Sequence, residues 1–274
     1  MAGHSLGVIG AGNMAEALLR GALAAGVLEP SDVIVSDPLP ARRELFHRQL
    51  GVAAVDDNAL AAGCPRLLLA VKPQMMADVL AACAAAVRPD ALVISIAAGV
   101  RTAFIHERLG GKGRIVRAMP NTPMLVGCGA SALCKGPGAT DADLAAAERL
   151  FAACGLTVAV DEAQIDAVTA VSGSGPAYFF YLIEAMVRAG VAEGLGPEVA
   201  LKLAVQTCRG AGQLLLDTGE KPEVLRARVT SPKGTTQAAI ESMEAAGVAP
   251  AIEAAVRRAA ARSRELGKHN ARRQ

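Results

Sequence analysis

The stretch from Leu6 to Ala15 restricts what this chain can fold into more than any other. Leu6-Gly7-Val8-Ile9 is a short apolar run, and Gly10-Ala11-Gly12-Asn13-Met14-Ala15 follows it as G-x-G-x-x-A. A helical pattern then continues through Glu16, Leu18, Leu19 and Leu23. In a strand, glycine turn and helix of this kind, Gly10 makes the tight turn and Gly12 admits a pyrophosphate to bare backbone. Ala15 is small enough for the helix to pack on the strand. A second apolar run, Val33-Ile34-Val35, ends at Ser36-Asp37, where an adenosine ribose is expected to sit. Ile9, Gly10, Ala11, Gly12, Asn13, Met14 and Asp37 are therefore the first candidates for holding a dinucleotide.

Strand-like runs recur at 5–9, 32–37, 66–71, 91–96, 114–118, 130–134 and 157–160. Amphipathic helical runs lie near 13–26, 40–50, 74–87, 101–109 and 141–153. Such alternation predicts a mainly parallel, doubly wound sheet of Rossmann type with helices on both faces. Beyond 162 the strand signal stops and helical patterns run near 163–195, 197–218, 222–229, 235–246 and 249–267. The expected fold is α/β followed by all-α, with a dinucleotide-binding domain over 1–162 and a helical domain over 163–274 whose long apolar faces suit dimerisation with another copy. Pro176, Pro197, Pro222 and Pro250 fall at or near predicted helix starts, where proline is tolerated.

Ligands of such sheets bind beyond the carboxyl ends of the strands. Three loops meet that condition. Lys72-Pro73 follows Leu67-Leu68-Leu69-Ala70-Val71, and Lys72 either borders cofactor phosphate or ribose or is an ordinary exposed lysine. Ala97-Ala98-Gly99 follows Leu92–Ile96, and is either a flat seat for a nicotinamide or a plain helix entrance. Asn121 and Thr122 stand between two prolines in a stiff polar loop that is also read as a rigid turn. Val171-Ser172-Gly173-Ser174-Gly175-Pro176 interrupts the first helical run of the second half. It either leaves room for a ligand or allows tight helix crossing.

Composition narrows the function classes. Hydrophobic residues make up 52% and charged residues 20%, as in a globular protein with a substantial core. Aromatics are 3%, so that core is built from small side chains. A net charge of +2 names no partner, and the late Arg257-Arg258, Arg262, Arg264 and Arg272-Arg273 read as a solvated face and a tail, not a nucleic-acid patch. The cysteines at 64, 83, 128, 134, 154 and 208 form no C-x-x-C, so no metal site is expected and reduced thiols are. Met1-Ala2-Gly3-His4-Ser5 leads directly into the first strand, and the uncharged stretches are broken by Gly, Ser and Pro. A cytoplasmic protein with no membrane span is therefore expected.

Near the other end, Val229-Thr230-Ser231-Pro232-Lys233-Gly234-Thr235-Thr236 precedes Gln237-Ala238-Ala239-Ile240. Hydroxyls, a proline and a glycine crowd the entrance of a predicted helix. The first turn of a helix has unpartnered N–H groups and a favourable dipole for a small anion such as a carboxylate. Ser231, Gly234, Thr235 and Thr236 form either an anion site or a well-capped helix start.

With both ends read, the chain resembles the pyrroline-5-carboxylate reductase family. The resemblance covers nearly the whole sequence and runs through Gly7–Met14, Ala70-Val71-Lys72-Pro73, Ser95-Ile96-Ala97-Ala98-Gly99-Val100, Arg117–Pro123, Val171–Tyr178 and Ser231–Thr236. The last motif is the most family-specific. The resemblance implies an N-terminal Rossmann domain and a C-terminal helical domain interleaved with its twin. It also implies an active site with parts from two subunits, and homodimers that some members assemble further into decamers. The implied reaction is NADPH- or NADH-dependent reduction of the C=N bond of L-1-pyrroline-5-carboxylate to L-proline. It further implies that Asn58, Ala70–Pro73 and Ile96–Ala98 continue the cofactor site. By the same resemblance Thr236 is the best candidate to hydrogen-bond the imine nitrogen, with Thr169 and Glu162 assisting through the other subunit.

Two positions depart from the family pattern. Lys233 stands where glycine is usual, so either the loop avoids positive φ or the lysine adds a cation near the substrate carboxylate. Asp37 stands where members preferring the phosphorylated cofactor carry Ser or Thr, which points to NADH being used at least as well as NADPH, with Arg42 and Arg43 near enough to offset the charge. Hydroxyacid dehydrogenases resemble the chain at Gly173-Ser174-Gly175. They then use a lysine and an asparagine where this chain has Phe179 and Ile183. A dinucleotide-binding redox sensor needs no anion site at 231–236, and a purely structural helical dimer leaves the first glycine loop unexplained.

Overall fold

Leu6–Ile9 forms β1 of an eight-stranded sheet in the computed structural model, which describes residues 3–272 and side chains as far as Gly267. Arg273 of the basic tail lies outside the described residues. The other strands are β2 (Val33–Ser36), β3 (Ala53–Val55), β4 (Arg66–Leu69), β5 (Leu92–Ser95), β6 (Arg114–Met119), β7 (Gly129–Lys135) and β8 (Gly155–Ala159). Their order is β3-β2-β1-β4-β5-β6-β7-β8. All neighbours are parallel except β6 and β7, which pair with Met119 opposite Ala132. The connection between these two is too short for a crossover helix, so the chain must turn back on itself.

Alternate residues of each strand feed two cores. Leu6, Val8, Val33, Val35, Leu68, Ile94 and Val116 face α1 (Asn13–Ala24), α2 (Pro40–Leu50) and, further along the chain, α6 (Asp141–Ala152). Ile9, Ile34, Leu67, Leu69, Val93 and Ile115 face α3 (Asn58–Ala62), α4 (Met76–Cys83) and α5 (Thr102–Arg108). This is the doubly wound arrangement, with helices on both faces. Two elements, β3 and α3, go beyond the sequence expectation. Three and five residues are too few to show a period.

The chain divides into two compact units. The first runs to Ser174 and takes in the chain again from Ala259, and the second is Gly175–Arg258. Residues just past 162 pack with the sheet. Ile165 of α7 (Ile165–Val168) is fully buried with Ala132 and Cys134. One turn of π helix, Thr169–Gly173, follows, closed by a 2.8 Å bond from the Ser174 N–H to the Thr169 carbonyl. Ser263, in the returning segment, donates to Asp166 Oδ1 at 2.6 Å.

The second unit holds α8 (Gly175–Ala192), α9 (Pro197–Thr218), α10 (Pro222–Arg228), α11 (Thr235–Ala245) and the first part of α12 (Val248–Arg272). Gly190 of α8 lets Ala200 of α9 approach, since an added Cβ would meet Ala200 Cβ at 3.3 Å. Among the described residues, Ala200 and Ala204 are the buried apolar residues of this unit, while Phe179, Phe180, Tyr181, Leu203 and Leu216 lie exposed. So much apolar surface in water marks an interface.

Candidate active site

Four neighbouring strand ends carry most of the residues expected to hold a dinucleotide. Beyond β1 come Gly10–Met14, beyond β2 Asp37, beyond β4 Ala70–Pro73 and beyond β5 Ile96–Ala98. Strand order reverses between β1 and β4, the crevice where such sheets bind ligands.

The two glycines of the first turn differ in why they are glycine. Gly10 has φ +100, and an added Cβ would lie 2.7 Å from the Ala70 carbonyl oxygen, so the fold itself demands it. Gly12 has φ −74, and an added Cβ would meet nothing within 4 Å. Nothing among the described residues requires a glycine there. The open space lies over the start of α1, whose first turn has no side-chain cap. Uncapped N–H groups, the helix dipole and a missing side chain together fit a pyrophosphate.

The remaining cofactor candidates are held by specific bonds. Asp37 accepts from the Ala11 N–H at 2.8 Å and from the Leu39 N–H at 2.9 Å. Arg42 pairs with Glu16 at 2.8 Å and also donates to the Ala11 carbonyl, while Arg43 donates to the carbonyls of Asp37 and Pro38. Asn58 opens α3, and its Oδ1 accepts from the buried Ser36 hydroxyl at 2.7 Å. Lys72 is exposed, Ala97 is buried, and Gly99 has φ +72.

Glu162 and Thr169 turn inward. Glu162 accepts from the Thr102 N–H and hydroxyl, each at 2.8 Å, and from Arg117 Nη1 at 3.2 Å. The Thr169 hydroxyl donates to the Ile165 carbonyl at 2.8 Å.

In the second unit, Gly234 is the N-cap of α11 and the helix start has no side-chain cap. The reading of Ser231–Thr236 as an ordinarily capped helix therefore does not describe what the chain builds. The Gly234 N–H closes a turn on the Ser231 carbonyl at 3.0 Å, so it is not among the free donors. Those of Thr235 and Thr236 have no partner within the helix. An added Cβ at Gly234 would lie 2.3 Å from Ser231 Oγ and 3.1 Å from the Ser231 carbonyl oxygen, so the serine hydroxyl would have to turn aside. Lys233 adopts φ +58, the one positive-φ non-glycine among the described residues, and its N–H donates to Gln237 Oε1 at 2.7 Å. The loop does not avoid the left-handed conformation.

Comparison with known proteins agrees with both halves. The family described as pyrroline-5-carboxylate reductase dimerisation matches residues 162–266, and that described as NADP oxidoreductase, coenzyme F420-dependent, matches residues 5–99. The pyrroline-5-carboxylate reductase of Pseudomonas aeruginosa is 45% identical over 260 residues, covering 94% of this chain and 95% of that protein. The chain belongs to the pyrroline-5-carboxylate reductase family. The solved structure of the Coxiella burnetii reductase has a TM-score of 0.90 at 36% identity and covers 97% of this chain and 99% of that one. A Plasmodium falciparum pyrroline carboxylate reductase solved with NADP bound has a TM-score of 0.86 at 29% identity, with 97% and 99% covered.

Three residues beside the site were not singled out for it in the sequence, or were left open. Arg117 is 4% exposed, and its Nε and Nη2 are buried with no hydrogen-bond partner among the described residues. A charge within the apolar run Arg114–Met119 was the signal. Thr102 is buried against Gly136 and gave no signal, because its partner lies 60 positions away. Asn121, left open as a rigid turn, bridges two segments. Its Nδ2 donates to the Ser172 carbonyl at 3.1 Å and its Oδ1 accepts from the Ala130 N–H at 2.8 Å. The cysteines are free thiols, and burial pushes Cys83 and Cys134 up to about 11, away from nucleophilic use. Among the described residues no group of three or more His, Cys, Asp or Glu could hold a metal, and no helix is long and apolar enough to cross a membrane.

Proposed function

We propose that this chain reduces L-1-pyrroline-5-carboxylate to L-proline with NADPH or NADH, the final step of proline synthesis. The 45% identity to a reductase of that name over nearly the whole of both chains carries the reading. The open space at Gly12 and the uncapped start of α11 support it chemically.

When bound, the dinucleotide supplies a hydride. Ile9–Met14 hold its pyrophosphate and Asp37 its adenosine ribose. Asn58, Ala70–Pro73 and Ile96–Ala98 hold the rest. The N–H groups of Thr235 and Thr236 bind the substrate carboxylate, with Ser231 beside them and Gly234 offering bare backbone. The imine nitrogen takes a proton from solvent, hydride adds to the imine carbon, and the C=N π pair moves to nitrogen to leave the ring amine of proline. The Thr236 hydroxyl hydrogen-bonds that nitrogen. The imine is basic enough that a strong protein acid is not obligatory, so most of the acceleration comes from positioning. Thr169 and Glu162 are weaker candidates, since their polar atoms already have partners in the chain.

The helical domain, taken as 163–274, pairs with a second copy. Its exposed aromatic and aliphatic residues support a homodimer, and a decamer is a further step that sedimentation would resolve. We place the protein in the cytoplasm, with no nucleic-acid or membrane partner.

The test is oxidation of NADH and NADPH by the purified protein with pyrroline-5-carboxylate, with proline identified as product. Dinucleotide binding without turnover would favour a sensor instead.

A further inference from the structure

We propose that Glu162 is a positioning residue for the nicotinamide half of the cofactor site, acting through Thr102, the first residue of α5, on the loop that joins β5 to α5. The proposal rests on the reductase reading in taking Ala97 and Ala98 of that loop as the seat of the nicotinamide.

The loop needs an external hold. It joins Ser95 to Thr102, turns at Gly99 with φ +72, and delivers the chain into a helix of seven residues. The N-cap of that helix, Arg101, makes no side-chain cap bond. Glu162 takes over the capping from 60 positions away. Its Oε1 accepts the Thr102 N–H and its Oε2 the Thr102 hydroxyl, each at 2.8 Å. A carboxylate at a helix start satisfies an orphan donor and opposes the positive end of the dipole.

The hold is stiff at both ends. Thr102 is 2% exposed and packs against Gly136, where an added Cβ would meet the threonine Cβ at 2.4 Å, so the glycine makes the space the threonine occupies. Glu162 is fixed in turn by the buried Arg117, whose Nη1 lies 3.2 Å from Oε1. Arg117 Nε and Nη2 have no hydrogen-bond partner among the described residues, and Glu162 is the carboxylate paired with this buried cation. The relay Arg117–Glu162–Thr102 thus joins the middle of the sheet to the far end of the loop that carries Ala97 and Ala98. All three hydrogen bonds of Glu162 run into the protein, which is a different role from that of a substrate ligand.

The test compares Thr102→Val, Thr102→Ser and Glu162→Gln with the parent enzyme. Dissociation constants are measured for NADH and for ADP-ribose, which lacks the nicotinamide, alongside KM for pyrroline-5-carboxylate. Thr102→Val is expected to weaken NADH binding by about fivefold to tenfold. ADP-ribose binding and the KM for the imine should stay within about twofold, a change too small to mark a lost contact. Thr102→Ser keeps both donors and should restore the parent values, and Glu162→Gln should follow Thr102→Val. An equal loss for NADH and ADP-ribose would mean general damage to the domain and overturn the proposal. So would a rise in KM for the imine with NADH binding intact, which would make Glu162 a substrate ligand. Unchanged binding in all variants would also overturn it. Thr102→Ser and Glu162→Gln keep the comparison decisive if Thr102→Val does not fold. A parent protein that binds NADH without reducing the imine would sink the reductase reading, while the binding comparison would still decide this one.

Discussion

The carboxylate of Asp37 accepts a hydrogen bond from the main-chain N–H of Ala11 at 2.8 Å, tying the end of β2 to the glycine turn after β1. Its second oxygen accepts from Leu39, so the acid is held where an adenosine ribose is expected. A fixed negative charge there favours a free 2′-hydroxyl and repels a 2′-phosphate. Arg42 and Arg43 are spent on Glu16 and on main-chain carbonyls. NADH is therefore expected to be used at least as well as NADPH. Asp37→Ser should raise the ratio of kcat/KM for NADPH over NADH by about tenfold or more, on the order of 1.4 kcal/mol. A hundredfold preference for NADPH in the parent enzyme would refute the argument.

Lys233 carries a second prediction. A side chain at φ +58 costs about 1 kcal/mol relative to glycine. Lys233→Gly should therefore raise the unfolding midpoint by a few degrees, reduced by the added freedom of glycine in the unfolded chain. The Gln237 bond to the main-chain N–H should survive, since it does not involve the lysine side chain. If the ammonium also attracts the substrate carboxylate, KM for the imine rises in the same variant. A lower midpoint would show that the lysine stabilises the turn by other contacts.

What was legible in the sequence was whatever repeats or breaks a period locally. The G-x-G-x-x-A turn and the strands around it were readable because each strand is buried on both faces and bounded by turn residues. The same rule hid β3 and α3, which are too short to show a period. The antiparallel return from β6 to β7 was hidden too, because strand direction leaves no mark on composition. In the candidate site, Asp37 and Lys233 were visible as departures from a familiar pattern, but the conformation of Lys233 was not. The Glu162–Thr102 pair was invisible because its members come together only through the fold. Without that contact, Glu162 reads as a loose carboxylate available to a ligand.

A pH dependence follows from Asp143. Burial alone would raise its carboxyl, but bonds from the Thr140 N–H and hydroxyl and from Arg114 outweigh that and hold it below the usual 3.8. A lowered folded value means the ionised form is favoured by folding. The resulting stability is complete above the unfolded value and is lost as pH falls through the folded one. Asp143→Asn should destabilise the protein at pH 7, on the order of 2 kcal/mol. The gap between parent and variant should narrow below about pH 4. Thermal melts at both pH values check this, and a gap that widens in acid would contradict it.

Thr236 is the second residue of α11, half-buried, and no side chain caps that helix start. Its N–H and hydroxyl can therefore serve one ligand together, the first toward a carboxylate and the second toward the neighbouring ring nitrogen. Thr236→Ala keeps the N–H and removes the hydroxyl. It should lower kcat/KM for the imine by about tenfold or more, roughly 1.4 kcal/mol of transition-state stabilisation. The melting temperature should stay near that of the parent, because the side chain is not part of a buried core. Thr236→Ser restores a hydroxyl on the same carbon and should recover most of the rate. If the alanine variant kept parent kinetics, the imine nitrogen would have to find its partner elsewhere, and Thr236 would drop out of the mechanism.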